Sequence, residues 1–378
     1  MQLRSILAAA GVVALAACSD DQSTAPTTAP VAPTLSETPA VGGVFVSTNG
    51  LGGNAVVAFA RAADGSLTPT GTFATGGTGI GGTADPLASQ FTVALAKNAS
   101  LLVVANAGSN DISAFTVDGG SLALTNRASS GGLRPVSVAI SNGHVYALNT
   151  ISNTIGVLVL GNDGSLTALP GKTKALAAGA NGAAEVRATG RLLVVSERVS
   201  NRLETFAIAP DGSLGDPVVT TSAGNTPFGF DFTARGQVVV SEAGTGSASS
   251  YTTNADGSLS VISAAAPTLQ QAPCWVIVTN SGRFAYTANA GSGSITGFGI
   301  DARGNLTRLT GSGVSGDLGA GAQPLDLDIT RDGNFLYVIK NGTGTIGAFA
   351  VGGDGSLTPL PDTPGLAAQA GYMGLAAY

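Results

Sequence analysis

The sequence predicts an all-β chain folded as a seven-bladed β-propeller of four-stranded antiparallel blades, and three observations carry that prediction. A short polar hairpin of the form Asp-Gly-Ser-Leu returns seven times, ending at Leu67, Leu122, Leu166, Leu214, Leu259, Leu306 and Leu357. The steps between these leucines are 55, 44, 48, 45, 47 and 51 residues, a spacing proper to a propeller blade. The composition, with 55 glycines and only 11% charged residues, suits strands and tight turns, and no long apolar helical pattern follows the first twenty residues. Two copies are degenerate: Gly119-Gly120-Ser121-Leu122 lacks the Asp at that register, and Arg303-Gly304-Asn305-Leu306 lacks both Asp and Ser.

One unit, from Gln323 to Leu357, shows how each blade is written. Pro324 to Thr330 alternates apolar with small or polar residues, as a two-faced strand does. Arg331-Asp332-Gly333-Asn334 follows as a tight turn, since Asp-Gly and Gly-Asn supply positive φ. Phe335 to Lys340 is a second strand, Asn341 to Thr345 a loop, and Ile346 to Ala350 a third strand. Gly353-Asp354-Gly355-Ser356 makes the next hairpin, and a fourth strand begins at Leu357. The ends are complementary: Gly371 to Tyr378 reads as a first strand without a second, and Gly42 to Asn49 as a second without a first. Joining them in one blade closes the ring and leaves no open sheet edge.

The chain divides into three parts. Residues 1–18 read as a bacterial lipoprotein signal: Arg4 supplies positive charge, Ile6 to Ala17 is apolar, and Leu15-Ala16-Ala17-Cys18 is a lipobox ending at the lipidated Cys18. Residues 19–40, rich in Pro, Thr and Ala, cannot bury a core and read as a disordered tether. Residues 41–378 are the propeller. The protein is therefore expected in the bacterial cell envelope, extracytoplasmic and held to the membrane through Cys18, in the outer membrane or periplasm if the host is Gram-negative. Without Cys18 the remaining thiol is Cys274, which leaves no intramolecular disulfide and no cysteine zinc site. A net charge of −6 without any Lys or Arg run argues against nucleic acid as a partner. No segment suggests an oligomerisation helix, so a monomer is expected.

Function is expected where loops converge on the mouth of the central channel, at the starts of the inner strands and the ends of the second strands. The Asp-Gly hairpins lie on the other face, where turn formation accounts for them. Second-strand ends align at Asn49, Asn106, Asn149, Glu197, Glu242, Asn289 and Lys340. An asparagine there is explained by bonding to the following loop. Glu197, Glu242 and Lys340 are less easily explained by a turn and stand first as site residues. Arg134-Pro135, Thr226-Pro227, Pro273-Cys274-Trp275 and Pro324 begin inner strands around the same mouth. Trp275, the single tryptophan, reads as inter-blade packing or a ligand platform. Glu185, Asp231 and Asp328 align further along these strands, where they line the channel, hold a cation or bond adjacent blades. No ligand spacing selects a metal, and no cofactor is indicated. The sole histidine, His144, follows a first turn and belongs to the hairpin face, which removes histidine as a general base.

With Gly-Arg-Phe-Ala-Tyr-Thr-Ala-Asn at 282–289, Gly-Ser-Gly-Ser-Ile-Thr-Gly-Phe at 291–298 and the Asp-Gly-Ser-Leu hairpins, the chain resembles the lactonase-type seven-bladed propellers. That family includes bacterial 6-phosphogluconolactonase and carboxymuconate cyclase relatives, and the resemblance spans Gly42 to Tyr378. It implies a Glu at a second-strand end working with His and Arg at inner-strand starts. Val195 to Asn201 is similar to the Glu-containing segment, which makes Glu197 a candidate catalytic residue. The His does not carry over: Pro135-Val136, Pro227-Phe228, Pro273-Cys274 and Glu185-Val186-Arg187 stand where it would be. Two functions follow. One is a lipid-anchored propeller that binds a small molecule or protein partner without chemistry, with Arg134, Asn149, Arg187, Trp275, Asn289 and Lys340 as ligand contacts. The other is a lactone hydrolase with Glu197 or Glu242 as base and Arg187, Arg134 or Lys340 at the developing oxyanion.

Overall fold

A computed structural model describes residues 40–378. The proposed signal, Cys18 and nearly all of the tether lie outside the described residues. Seven antiparallel sheets are present, and alternation along the chain is realised as predicted: in six sheets four strands run in sequence order from the channel outward, two of these sheets carrying a short fifth strand, and in the other the C-terminal strand stands innermost. Blade 7 shows the pattern, with Pro324–Ile329 innermost, then Phe335–Lys340, Thr345–Val351 and Leu357–Pro364. The inner strands of blades 2 to 6 are Val93–Leu95, Pro135–Ser141, Ala183–Thr189, Pro227–Phe232 and Pro273–Val278. Among the described residues the only helical turn is Pro170–Lys172.

The ring closes as the termini implied. Met373–Ala377 is the inner strand of blade 1 and pairs antiparallel with Gly42–Ser47, so that Phe45 faces Ala376 and Val46 faces Leu375. The first of the described strands is thereby flanked on both sides, and neither of its edges is left open.

Burial is greatest in the second strands and least in the outer ones, and composition follows it. Second strands such as Leu101–Asn106 and Phe284–Asn289 are buried at every position. Outer strands such as Leu67–Ala74 are mostly exposed, which suits their Thr and Pro content. Aromatic side chains between sheets, including Tyr146, Tyr251, Tyr286, Tyr337 and Phe298, fill the wedges between blades.

The repeated hairpin does more than turn the chain. In each Asp-Gly-Ser copy the Asp oxygen accepts from the Ser amide and hydroxyl, as Asp64 does from Ser66 at 3.0 and 2.6 Å. The glycine carbonyl then accepts a hydroxyl from the preceding blade. Thr125 reaches Gly164 at 2.9 Å, Tyr146 reaches Gly212 at 3.2 Å and Thr205 reaches Gly257 at 2.6 Å. Ser250 reaches Gly304 at 2.7 Å, Tyr286 reaches Gly355 at 2.9 Å and Tyr337 reaches Gly65 at 2.7 Å. Thr70 to Gly120 supplies the seventh contact. Even the two degenerate copies keep the glycine that makes it.

Candidate functional site

Every second-strand end singled out by the repeat is buried, and each side chain has partners. Asn106 accepts from Asn54 Nδ2 at 2.9 Å and Thr75 Oγ1 at 2.8 Å, and donates to Asp111 and Ser113. Asn149 donates to the Ser130 carbonyl at 3.1 Å, and Asn289 to Ser294 and Thr296 at 3.1 and 3.0 Å. Asn49 holds the Ile80 amide and the Gly81 carbonyl. These asparagines tie the second strand to the third strand or to a neighbouring loop.

The charged members behave similarly. Glu197 is fully buried; it takes Arg202 Nε at 3.0 Å and the Asn181 amide at 3.1 Å, and Ser200 donates to it as well. Arg202 also binds Glu204 at 2.9 Å, so two buried carboxylates share one guanidinium. Burial, with Glu197 beside it, pushes the Glu204 carboxyl up to about 8. Glu242 is fully buried too; it accepts from Ser222 at 2.6 Å and Tyr251 at 3.3 Å, and its other oxygen has no hydrogen-bond partner. Burial raises its pKa. Lys340 pairs with Asp362. The structure thus brings neither Glu197 nor Glu242 together with Arg187, Arg134 or Lys340.

The mouth, expected to be the concave site, is filled by the chain itself. The connection 75–92 crosses it and descends into the channel. Ser89 and Gln90 are fully buried there: Gln90 Oε1 takes the Val276 amide at 3.0 Å and its Nε2 donates to the Val276 carbonyl at 2.8 Å. Trp275 Nε1 donates to the Ser89 carbonyl at 2.9 Å, and its ring meets Phe228 edge-on at 5.4 Å between centroids. The Phe91 amide donates to Asp326 Oδ2 at 2.9 Å. Ala88 and Phe91 hold positive φ, 49° and 55°, an unfavourable backbone sustained by these contacts. Trp275, 1% exposed, is therefore an anchor for this plug.

Around the plug lies a small polar group. Asp85 Oδ1 and Arg198 Nε are both buried without a hydrogen-bond partner among the described residues. Burial pushes the Asp85 carboxyl up to about 7, against the pull of the Ala88 amide and the nearby Arg198 charge. The Cys274 thiol feels both groups, and burial raises it to about 12, so it is no thiolate nucleophile. Arg134 is half-buried; its backbone amide donates to Asn110 Oδ1 at 2.7 Å. It enters its inner strand at φ 59°, as Thr226, Ala272 and Gln323 do at 61°, 50° and 45°, so this kink belongs to the fold.

Deeper in the channel the aligned acids bind neighbouring blades. Glu185 accepts the Phe230 amide at 2.6 Å, Asp231 the Val278 amide at 3.0 Å, and Asp328 the Ala377 amide at 2.9 Å. Arg187 pairs with Asp231 at 2.6 Å and lies 3.9 Å above the Phe91 ring. Burial raises Glu185 and Asp326 well above the usual carboxylate range and Asp328 to about 7. Among the described residues no group of three His, Cys, Asp or Glu is arranged to hold a metal. A cavity of about 440 Å³ opens beyond Arg187, lined by the ends of the inner strands and the first turns. This concavity lies on the hairpin face, while the 75–92 connection occupies the opposite mouth. His144, as expected, is on the hairpin face, packed against Gly212.

Asp85 and Arg198 escaped the repeat because neither sits at an aligned position. The signal for Asp85 was the first step of 55 residues, the longest of the six, which marks extra chain between blades 1 and 2.

Residues 49–175, 141–243 and 238–372 match the family model described as Lactonase, 7-bladed beta-propeller. Among solved structures, the chain is similar to a candidate 6-phosphogluconolactonase from Bacteroides fragilis, with 19% identity, 92% of this chain and 100% of that one covered, and a TM-score of 0.70. It is similar to the periplasmic gluconolactonase of Pseudomonas aeruginosa, PpgL, with 17% identity, 89% and 98% covered, and a TM-score of 0.68. A Lactobacillus plantarum protein gives 18% identity, 89% and 99% covered, and 0.69. At these identities the structures attest the fold. No curated protein sequence matches.

Proposed function

Since the chain belongs to the lactonase family of seven-bladed β-propellers, we propose that it serves in the bacterial envelope, anchored by lipid on Cys18, as a propeller that binds a small molecule or protein partner without hydrolysing it. One observation carries this reading: Glu197, in the segment similar to the family's Glu-containing one, and Glu242, its equivalent in the next blade, are fully buried, and Glu197 is committed to Arg202, Ser200 and Asn181. A general base must reach the proton it removes, and neither carboxylate lines the cavity on the hairpin face. The test is hydrolysis of sugar-acid lactones and muconolactones, followed by proton release, with Glu197→Gln as control. No turnover by folded protein supports the binding reading; turnover abolished in the control overturns it.

Asp85 favours a second reading. A carboxyl near 7 beside a guanidinium at the channel mouth suits a general base next to an anion holder, which makes lactone hydrolysis by Asp85 and Arg198 the alternative. In that case Asp85→Asn abolishes turnover while Glu197→Gln retains it.

A further inference from the structure

We infer that the cup on the hairpin face is a second binding site, opposite the mouth, for a small carboxylate, and that Arg187 receives it. This goes beyond the proposed function, which concerns the mouth. The cup is blind: its floor is Arg187 lying on Phe91, and Phe91 belongs to the plug that seals the other end.

Arg187 is built to be rigid and is not saturated. Asp231 takes one Nη2 bond at 2.6 Å and the Phe91 ring fixes the plane of the guanidinium. The approach to Glu185 Oε1 is 4.0 Å, too long for a hydrogen bond, and that oxygen has no partner. Donors are left over on a side chain that is 28% exposed. A planar fork with free N–H groups in a half-enclosed site matches a carboxylate in shape and charge.

The remaining chemistry of the cup agrees. Its acids, Asp231 and Asp328, are each turned to backbone amides of the next inner strand, and Asp231 is also neutralised by Arg187 itself. At the rim stand Lys97 and Arg331, both exposed; no carboxylate partner of either is found among the described residues, and Arg331 donates to the Ala96 carbonyl. The two rim cations draw an anion inward, toward the N–H groups that Arg187 leaves free. The walls between rim and floor mix Thr189, Thr233, Thr279 and Asn280 with Ile140 and Ile277, so polar and apolar groups both face the cup.

The test is calorimetric titration of the purified full-length protein with benzoate, benzamide and inorganic phosphate at low ionic strength. Saturable binding of benzoate, absent for benzamide, is expected. Lys97→Glu combined with Arg331→Glu, both at exposed positions, weakens it roughly tenfold and flattens its salt dependence. Arg187→Gln abolishes it, and Asp85→Asn at the mouth leaves it unchanged. No saturable benzoate binding, equal binding of benzamide, tighter binding of phosphate, or loss in Asp85→Asn with retention in the rim variant each overturn the proposal. Lactone turnover is read separately, so failure here does not bear on the reading of the mouth.

Discussion

The phenolic hydroxyl of Tyr337, in the last complete blade, donates at 2.7 Å to the carbonyl of Gly65, in the first. Two residues far apart in sequence thus fasten the same seam that Met373–Ala377 closes near the channel. Every other seam carries a counterpart, from Thr, Ser or Tyr to the hairpin glycine of the next blade.

Tyr337→Phe leaves the buried Gly65 carbonyl without its donor and lowers stability by about 1–3 kcal/mol. Gly65→Ala is expected to cost at least as much, because φ is +85° and the added Cβ meets Phe335 Cδ1 at 2.3 Å. Thermal or urea unfolding, with both variants against the parent, checks the order.

Deleting residues 371–378 removes the inner strand of blade 1, with buried Met373 and Leu375, and strips Gly42–Ser47 of a partner. The truncated protein is expected to lose cooperative unfolding and to self-associate through the open edge. Circular dichroism and size-exclusion chromatography report this directly.

Glu197→Gln is expected to lower stability by about 1–3 kcal/mol, since Arg202 keeps Glu204 but loses its second carboxylate. Binding or turnover at the mouth should be unchanged. A fall in activity at constant stability would return Glu197 to the site.

Stability should be greatest in mildly acidic solution. Asp85 and Asp328 have folded pKa values near 7, raised by burial, so the native state holds more protons than the unfolded chain between about 4 and 7. Their contribution is complete at the acid end of that window and is lost as pH rises through 7; Glu185 and Asp326 act in the same direction. The hairpin aspartates Asp64, Asp163, Asp256 and Asp354 are lowered by their serines, so what they contribute is lost as pH falls below the ordinary carboxylate range. A melting-temperature profile from pH 3 to 9 checks the shape, and Asp328→Asn should flatten its alkaline side.

Gln90→Ala removes both bonds to Val276 and should loosen the plug without opening the ring. Hydrogen exchange is expected to quicken across 83–92 while the second strands stay protected.

The repeat made the blades, their strand order and the terminal closure legible, because period-two alternation and turn residues are local signals. It also identified the second-strand ends as equivalent, but equivalence does not say which way a side chain faces. Glu197 is claimed by Arg202, five residues on across a single turn, a pairing that alignment to other blades cannot display. The inner acids were aligned correctly, and of the roles open to them the structure realises bonding to the next blade. The plug was illegible for the opposite reason. It belongs to no repeat: the 55-residue first step marks extra chain between blades 1 and 2, but a period carries no information on whether that chain enters the channel.

Closure by Met373–Ala377 also sets an order of events during synthesis. This strand is translated after every other strand described, so Gly42–Ser47 must wait through the making of six blades with one side unpaired. The nascent ring is an open arc until then, and its earliest strand is the one most in need of protection while the ribosome, and afterwards any export machinery, holds the chain.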